Sequence, residues 1–132
     1  MLQNGQIAAP GIMALTTAIS LLGLFRLSSI IDKSLFRPFY FLPKKQYGTM
    51  ILSGFVHADV GHLLFNMFTF YFFAFPLERF IGTIPFLILY FAGLVLSHAC
   101  TYFKQRHNSA YASLGASGAI SAVLFAYIVY FP

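Results

Sequence analysis

The stretch HADVGHLLFNMFTFYFFAFPLERFIG, residues 57–82, decides the class of fold. Its middle is a nearly unbroken apolar run, and polar or charged residues stand at both of its ends. A helix needs about 20 predominantly apolar residues to cross the hydrocarbon core of a bilayer. The stretch therefore predicts a membrane-spanning helix over residues 61–81.

The composition of the whole chain agrees with a protein that lies in lipid. Of its 132 residues, 59% are hydrophobic and only 8% are charged, and 17 Phe and eight Tyr add large apolar surfaces. A water-soluble domain of this size would have too little polar surface to cover so much apolar area. The composition thus indicates an integral membrane protein with the bilayer as its main partner.

Three further apolar runs extend this prediction to four membrane helices. They predict helices over residues 7–31, 84–103 and 114–131, and a segment with prolines, lysines and aromatic residues predicts an interfacial loop over residues 32–60. We therefore expect an all-α, multi-pass helical bundle that forms a single domain over residues 1–132.

Several function classes conflict with the pattern of charged and sulfur-containing residues. The basic residues behind the net charge of +5 are scattered, so no nucleic-acid partner is expected. Cys100 has no second cysteine, and Asp32, Asp59 and Glu78 are too dispersed for a metal site or a two-carboxylate mechanism. No metal and no cofactor are expected. A transporter or channel would need more ionisable residues inside its helices.

One group of polar residues stands at the start of the second predicted helix. His62 and Asn66 are four residues apart and so lie on one helical face, with His57 shortly before them. An imidazole N–H and a carboxamide NH₂ that point to one place would stabilise a developing oxyanion. The alternative is a hydrogen-bonded pair that only holds helices together, which spacing alone favours.

A second group, Gly115, Ala116, Ser117 and Gly118, stands at the start of the fourth predicted helix. A serine at a helix N-terminus lies close to unpaired backbone N–H groups and to the positive end of the helix dipole. Such a serine could act as a nucleophile. The alternative is packing of small residues against a neighbouring helix, in which serine is common. His98 and His107 are interpreted as ordinary helix and loop residues.

Taken together, His-x4-His-x3-Asn and Gly-x-Ser-Gly on two membrane helices resemble the rhomboid family of intramembrane serine proteases. The resemblance implies a six-helix core, of which this chain would hold four helices, and a Ser/His dyad without a cofactor. It implies that Ser117 is the nucleophile, that His62 and Asn66 form the oxyanion hole, and that His57, Gly115, Ala116 and Gly118 support the site. The substrates would be transmembrane proteins.

The resemblance also shows what this chain lacks. The general-base histidine of the family lies on a later helix, so we expect the sequence to be incomplete at its C-terminus and inactive on its own. The alternative is a catalytically inactive rhomboid-like protein that binds membrane clients. The resemblance implies that the loop over residues 32–60 lies outside the cytoplasm, whereas its lysines and arginines favour the cytoplasmic side. We expect the orientation that the resemblance implies. The sequence does not predict an oligomeric state.

Overall fold

The protein is a bundle of helices without an extended sheet over residues 5–132, which are the residues that the computed structural model describes. The helices, in chain order, are α1 Ala8–Phe25, α2 Ser28–Ser34, α3 Pro38–Phe41, α4 Thr49–Leu52, α5 Val60–Ile81, α6 Thr83–Gln105 and α7 Ser117–Tyr130, with a 3-10 turn Ser53–Phe55 before α5. The predicted all-α multi-pass bundle is confirmed.

Three of these helices, α1, α5 and α6, are long and apolar enough to cross a membrane. The fourth apolar helix, α7, has 14 residues, which corresponds to about 21 Å at 1.5 Å per residue. It is shorter than the helix predicted over residues 114–131, because it begins three residues later and ends one residue earlier.

The first predicted helix also ends early, at Phe25 instead of Ile31. The chain leaves the helix at Arg26 and reverses, so that α2 packs back on the end of α1. A Cβ atom at Gly23 would lie 2.7 Å from Ile31 Cγ1, so the reversal requires a glycine at that position. The predicted interfacial loop is therefore partly helical, because it contains α3, α4, the 3-10 turn and the last three residues of α2.

Near the end of α5, the buried Glu78 joins this helix to the start of α1. Its carboxylate accepts hydrogen bonds from the backbone N–H groups of Ala8 and Ala9, both at 2.8 Å. The first N–H groups of a helix have no partner within it, and the N-terminus favours negative charge. Glu78 thus stabilises the start of α1 from 70 residues away in sequence.

Helices α6 and α7 approach closely because small residues face each other. A Cβ atom at Gly93 would lie 2.5 Å from Ala122 Cβ, and one at Gly118 would collide with the side chain of Ser97. About one turn earlier along α6, Tyr90 packs edge to face with Phe70 of α5 in an aromatic core, with ring centroids 5.7 Å apart. This packing fixes the start of α7 relative to α5 and α6.

Candidate functional site

The start of α5 places the first group of polar residues. Asp59 precedes the helix, and its Oδ1 accepts the backbone N–H of His62 at 2.7 Å. This N-cap ends the loop and begins the helix at Val60, so His62 lies in the first turn and Asn66 one turn later. Asn66 is buried, whereas His62 is half-buried.

His57 lies at the centre of a buried hydrogen-bond network that three segments share. Its Nδ1 is 3.0 Å from Ser20 Oγ of α1, and its Nε2 is 2.9 Å from Asn66 Nδ2 of α5. The backbone N–H of Ala116 points to the same Nε2 at 3.4 Å. Burial, with a smaller contribution from His62, lowers the pKa of His57 to about 4, so the ring is neutral at pH 7.

The turn before α7 requires a glycine beside His62. Gly115 has a φ of +103°, and a Cβ atom there would lie 2.8 Å from His62 Cε1. The rings of His57 and His62 meet edge to face with centroids 4.9 Å apart. Both imidazoles and the backbone of residues 115–116 are therefore in contact just before the helix begins.

Ser117 is the first residue of α7, and its side chain is exposed. Ala116, which precedes it, makes no side-chain cap, so the first N–H groups of the helix keep their hydrogen-bonding capacity. Beside Ser117 lies a mainly polar cavity of about 150 Å³. Its polar lining residues are Ser97, His98, Thr101, Tyr111, Ser113 and Ser117. A water molecule occupies about 30 Å³ in the liquid, so the cavity has room for a few.

Loop residues hold this turn in place through backbone pairing. Phe36 and Ser113 exchange two backbone hydrogen bonds of 3.0 Å, and the N–H of Gly115 donates to Ser53 O at 2.8 Å. The bridge at Ser113 and the positive φ of Gly115 keep these residues out of the helix and explain why α7 begins at Ser117 and not at the predicted Leu114. The loop therefore takes part in building the site.

His98 of α6 is a bundle residue, as expected. Its Nδ1 donates to Met50 O at 2.7 Å, and its Nε2 accepts the hydroxyl of Ser53 at 3.1 Å. The donation to a carbonyl fixes the tautomer, because a carbonyl oxygen can only accept. His98 thus joins α6 to the loop although its ring also lines the cavity beside Ser117.

The structure brings together most of the residues that the two sequence motifs predicted. His57, His62 and Asn66 meet the backbone of Gly115 and Ala116, and Ser117 follows directly. Gly118 is directed away from this cluster and packs on Ser97 of α6, as the packing alternative expected. Sequence reasoning missed the contribution of Ser20, which stands among apolar residues on α1. The signal that could have identified Ser20 is a polar residue inside an otherwise apolar run.

Comparisons with known proteins all identify the same family. The family described as "Rhomboid domain" matches residues 44–132. "Presenilin-associated rhomboid-like protein A, mitochondrial" from Danio rerio is 35% identical over 128 residues, and the human "Presenilin-associated rhomboid-like protein, mitochondrial" is 30% identical over 128 residues. Each match covers 95% of this chain and 33% of the relative.

A bacterial protein is similar over a shorter range. "Putative rhomboid protease YdcA" from Bacillus subtilis (strain 168) is 36% identical over 73 residues, which cover 55% of this chain and 36% of the relative. The chain thus spans about a third of the length of these relatives. The relatives come from mitochondria and from a bacterium, and all carry the word rhomboid in their names.

Proposed function

Because this multi-pass membrane protein belongs to the rhomboid family, we propose that it forms the part of an intramembrane serine endopeptidase that carries the nucleophile and the oxyanion-binding groups. The observation that supports this most is the position of Ser117. It opens an apolar helix, directly after backbone that contacts His57 and His62, and it borders a polar cavity inside a membrane bundle.

In the proposed reaction, the hydroxyl of Ser117 attacks a peptide carbonyl of a transmembrane substrate. The carbonyl oxygen then becomes negatively charged and needs hydrogen-bond donors. The backbone N–H of Ser117, the ring of His62 and the carboxamide of Asn66 would supply them. One N–H of Asn66 donates to His57, so the second N–H of the same NH₂ group is available for the oxyanion.

The hydrolytic half of the reaction needs water at a site within lipid. The polar cavity beside Ser117 supports this step, because its hydroxyl groups and backbone could hold a few water molecules near the acyl-enzyme. By the family resemblance, a histidine outside this chain would take the proton from Ser117. No cofactor is required in this scheme.

One observation keeps the inactive client-binding alternative open. Both ring nitrogens of His57 and both of His98 are hydrogen-bonded to partners other than Ser117. An activated serine requires a base within hydrogen-bond reach. The two functions therefore differ in whether the complete protein places a further imidazole beside Ser117.

The test is Ser117→Ala in the complete protein, assayed on a model transmembrane substrate in liposomes and with a fluorophosphonate probe. We expect both cleavage and probe labelling to disappear while the circular dichroism spectrum is retained, because alanine suits the same position. Ser121→Ala is the matched control, since Ser121 lies one turn later and its hydroxyl donates to Ser117 O at 2.8 Å. Cleavage by Ser117→Ala at the wild-type rate would refute the proposal.

A further inference from the structure

Ser20 of α1 is a buried hydroxyl with two partners beside the candidate site. Its Oγ is 2.9 Å from Phe55 O and 3.0 Å from His57 Nδ1. A hydroxyl has one hydrogen to donate, and the carbonyl oxygen of Phe55 can only accept. Ser20 therefore donates to Phe55 and accepts the N–H of His57, which places the imidazole proton on Nδ1.

The opposite ring nitrogen supports this assignment, chiefly through the backbone N–H of Ala116, which can only donate, whereas the carboxamide of Asn66 can turn over. Both groups that face Nε2, the NH₂ of Asn66 and the backbone N–H of Ala116, are donors. A proton on Nε2 would point at two donors, whereas an unprotonated Nε2 accepts from them. The network is thus consistent only with the Nδ1–H tautomer, and the low pKa of His57 agrees with a neutral ring.

The tautomer decides how the carboxamide of Asn66 is turned. If the proton moved to Nε2, the carboxamide would present its Oδ1 to His57, and its NH₂ group would move to the other side. Asn66 is buried and has little room for other orientations. The direction of the NH₂ group therefore depends, through His57, on a hydroxyl of a different helix.

We propose that Ser20 is a positioning residue that holds His57 in its Nδ1–H tautomer and thereby turns the NH₂ group of Asn66 so that its second N–H is available for the oxyanion at Ser117. This role rests on the proposed protease function. It assigns α1, which carries neither sequence motif, a part in catalysis. Ser20 does not contact the substrate in this scheme and acts only through His57.

The chain offers a matched control on the same helix. Thr16 lies one turn before Ser20 on the same buried face, and its Oγ1 has no hydrogen-bond partner among residues 5–132. Removal of either hydroxyl changes a small polar side chain in the α1 packing. Only the removal of the Ser20 hydroxyl changes the partner of His57.

The experiment compares Ser20→Ala, Ser20→Thr and Thr16→Val with the wild type in the complete protein, on a model transmembrane substrate in liposomes. We expect Ser20→Ala to lower kcat by about tenfold to a hundredfold, less than the loss of an oxyanion donor itself, with KM within about twofold. Ser20→Thr, which keeps a hydroxyl, should recover most of kcat, and Thr16→Val should stay within about twofold. Wild-type kcat in Ser20→Ala, or an equal loss in Thr16→Val, would overturn the proposal.

A second measurement determines the tautomer of His57 without a catalytic assay. In protein with ¹⁵N-labelled histidine, the nitrogen chemical shifts of His57 should show a protonated Nδ1 in the wild type and a gain of the Nε2–H form in Ser20→Ala. An Nε2–H form in the wild type would overturn the proposal. If the wild type cleaves no substrate and does not react with fluorophosphonate, the protease function fails, while the nitrogen shifts still decide whether Ser20 sets the tautomer of His57.

Discussion

The buried polar side chains around His57 are arranged so that each has a partner, which lowers the cost of their burial inside a membrane bundle. Asn66, which is only 4% exposed, donates to His57, and His57 is held by Ser20. These contacts fix the direction of donor groups before any substrate arrives. An oxyanion hole works by such preorganisation, because the donors need not move when charge develops.

We expect His62→Ala and Asn66→Ala each to lower kcat by roughly 10²–10³, the usual cost of one oxyanion donor. Asn66→Ala should also lower the thermal midpoint, because it leaves His57 without a close donor. Thr69→Ala on the same helix is the control, since its hydroxyl donates only to Phe65 O. Unfolding in detergent and steady-state cleavage check the two effects. A loss of stability without any loss of kcat would favour the interhelical hydrogen-bond alternative.

The stability of the protein should fall as the pH is lowered from about 6.5 to about 4. Burial, reinforced by His62 and opposed by Asp59, lowers the pKa of His57 from 6.5 to about 4. Between these values the unfolded chain binds the proton and the folded chain does not, so acid favours unfolding by up to a few kcal/mol. Thermal midpoints over pH 4–8 for the wild type and His57→Gln check this. Equal pH slopes in both proteins would contradict it.

The roles of single residues were predictable from the sequence to different degrees. His57, His62, Asn66 and Ser117 were selected because polar residues are costly in apolar segments and because their spacing matches the rhomboid pattern. The partners of His57 were not predictable. The contact with Ser20 joins residues 37 apart in sequence, and periodicity within one helix carries no information about it.

At the scale of elements, helix ends decide the geometry of the site. The N-terminus of α5 is capped by Asp59, the N-terminus of α1 by Glu78 from another helix, and the N-terminus of α7 has no side-chain cap. The N-terminus of α6 also has no side-chain cap, but of these two uncapped ends only that of α7 carries a serine next to the histidine cluster. Its free N–H groups are what a substrate carbonyl would need, so the missing cap agrees with the proposed function.

We expect Glu78→Gln to destabilise the bundle by about 1–3 kcal/mol. The carboxylate accepts backbone N–H groups of Ala8 and Ala9, and a carboxamide would place an NH₂ group against one of these donors and lose the charge. Asp32→Asn is the control, because Asp32 is exposed and forms a surface ion pair with Arg37. Chemical unfolding in mixed micelles measures both. Equal stability of the Glu78→Gln variant and the wild type would contradict the capping role.

The elements themselves were predictable in kind but not at their ends. Apolar length identified the four apolar helices α1, α5, α6 and α7 but not the short helices α2, α3 and α4, and Gly82 with a φ of +93° separates α5 from α6 near the expected place. The reversal after Phe25 and the late start of α7 were missed. Both depend on tertiary contacts, that of Gly23 with Ile31 and the pairing of Phe36 with Ser113. Local hydropathy does not report such contacts.

At the scale of the whole molecule, the basic residues are distributed unequally between the two ends of the bundle. The helix directions place the end of α1, the loop, the end of α6 and the start of α7 together. Seven of the eight Lys and Arg residues lie at this end, namely Arg26, Lys33, Arg37, Lys44, Lys45, Lys104 and Arg106, and only Arg79 lies at the other end. Basic residues close to membrane helices are retained on the side from which the protein is inserted.

We nevertheless expect Lys44 and Lys45 to face the side opposite to insertion, which is outside the cytoplasm in bacteria, as the family resemblance implies, because a loop that lies partly in the membrane is a poor case for this charge rule. In a variant with Cys100→Ala, cysteines at these two positions should react with an impermeant thiol reagent only from that side of sealed vesicles. A cysteine at Arg79 is the control and should react from the other side. Reaction of Lys44→Cys only after lysis of the cells would show that the charges, and not the family resemblance, give the orientation.

Finally, residues 1–132 expressed alone should be proteolytically inactive, because none of the four histidines forms a hydrogen bond with Ser117 in the structure. His57 and His98 have both ring nitrogens hydrogen-bonded, His62 lies against Gly115, and His107 is exposed in the loop after α6. A serine without a base is a weak nucleophile. In a serine protease of another fold, loss of the base alone costs roughly 10⁶ in kcat, so no cleavage should be detectable.

The measurement is cleavage of a model transmembrane substrate in liposomes by this chain alone, and by this chain together with a second polypeptide that carries the C-terminal helices of a rhomboid relative. We expect activity only in the second case, and Ser117→Ala in the first polypeptide should remove it. His98 is the critical control, since its ring lines the same cavity as Ser117. If the chain alone cleaves the substrate and His98→Ala abolishes this cleavage, then the base is internal, and the hydrogen bonds of His98 to Ser53 and Met50 must open during the reaction.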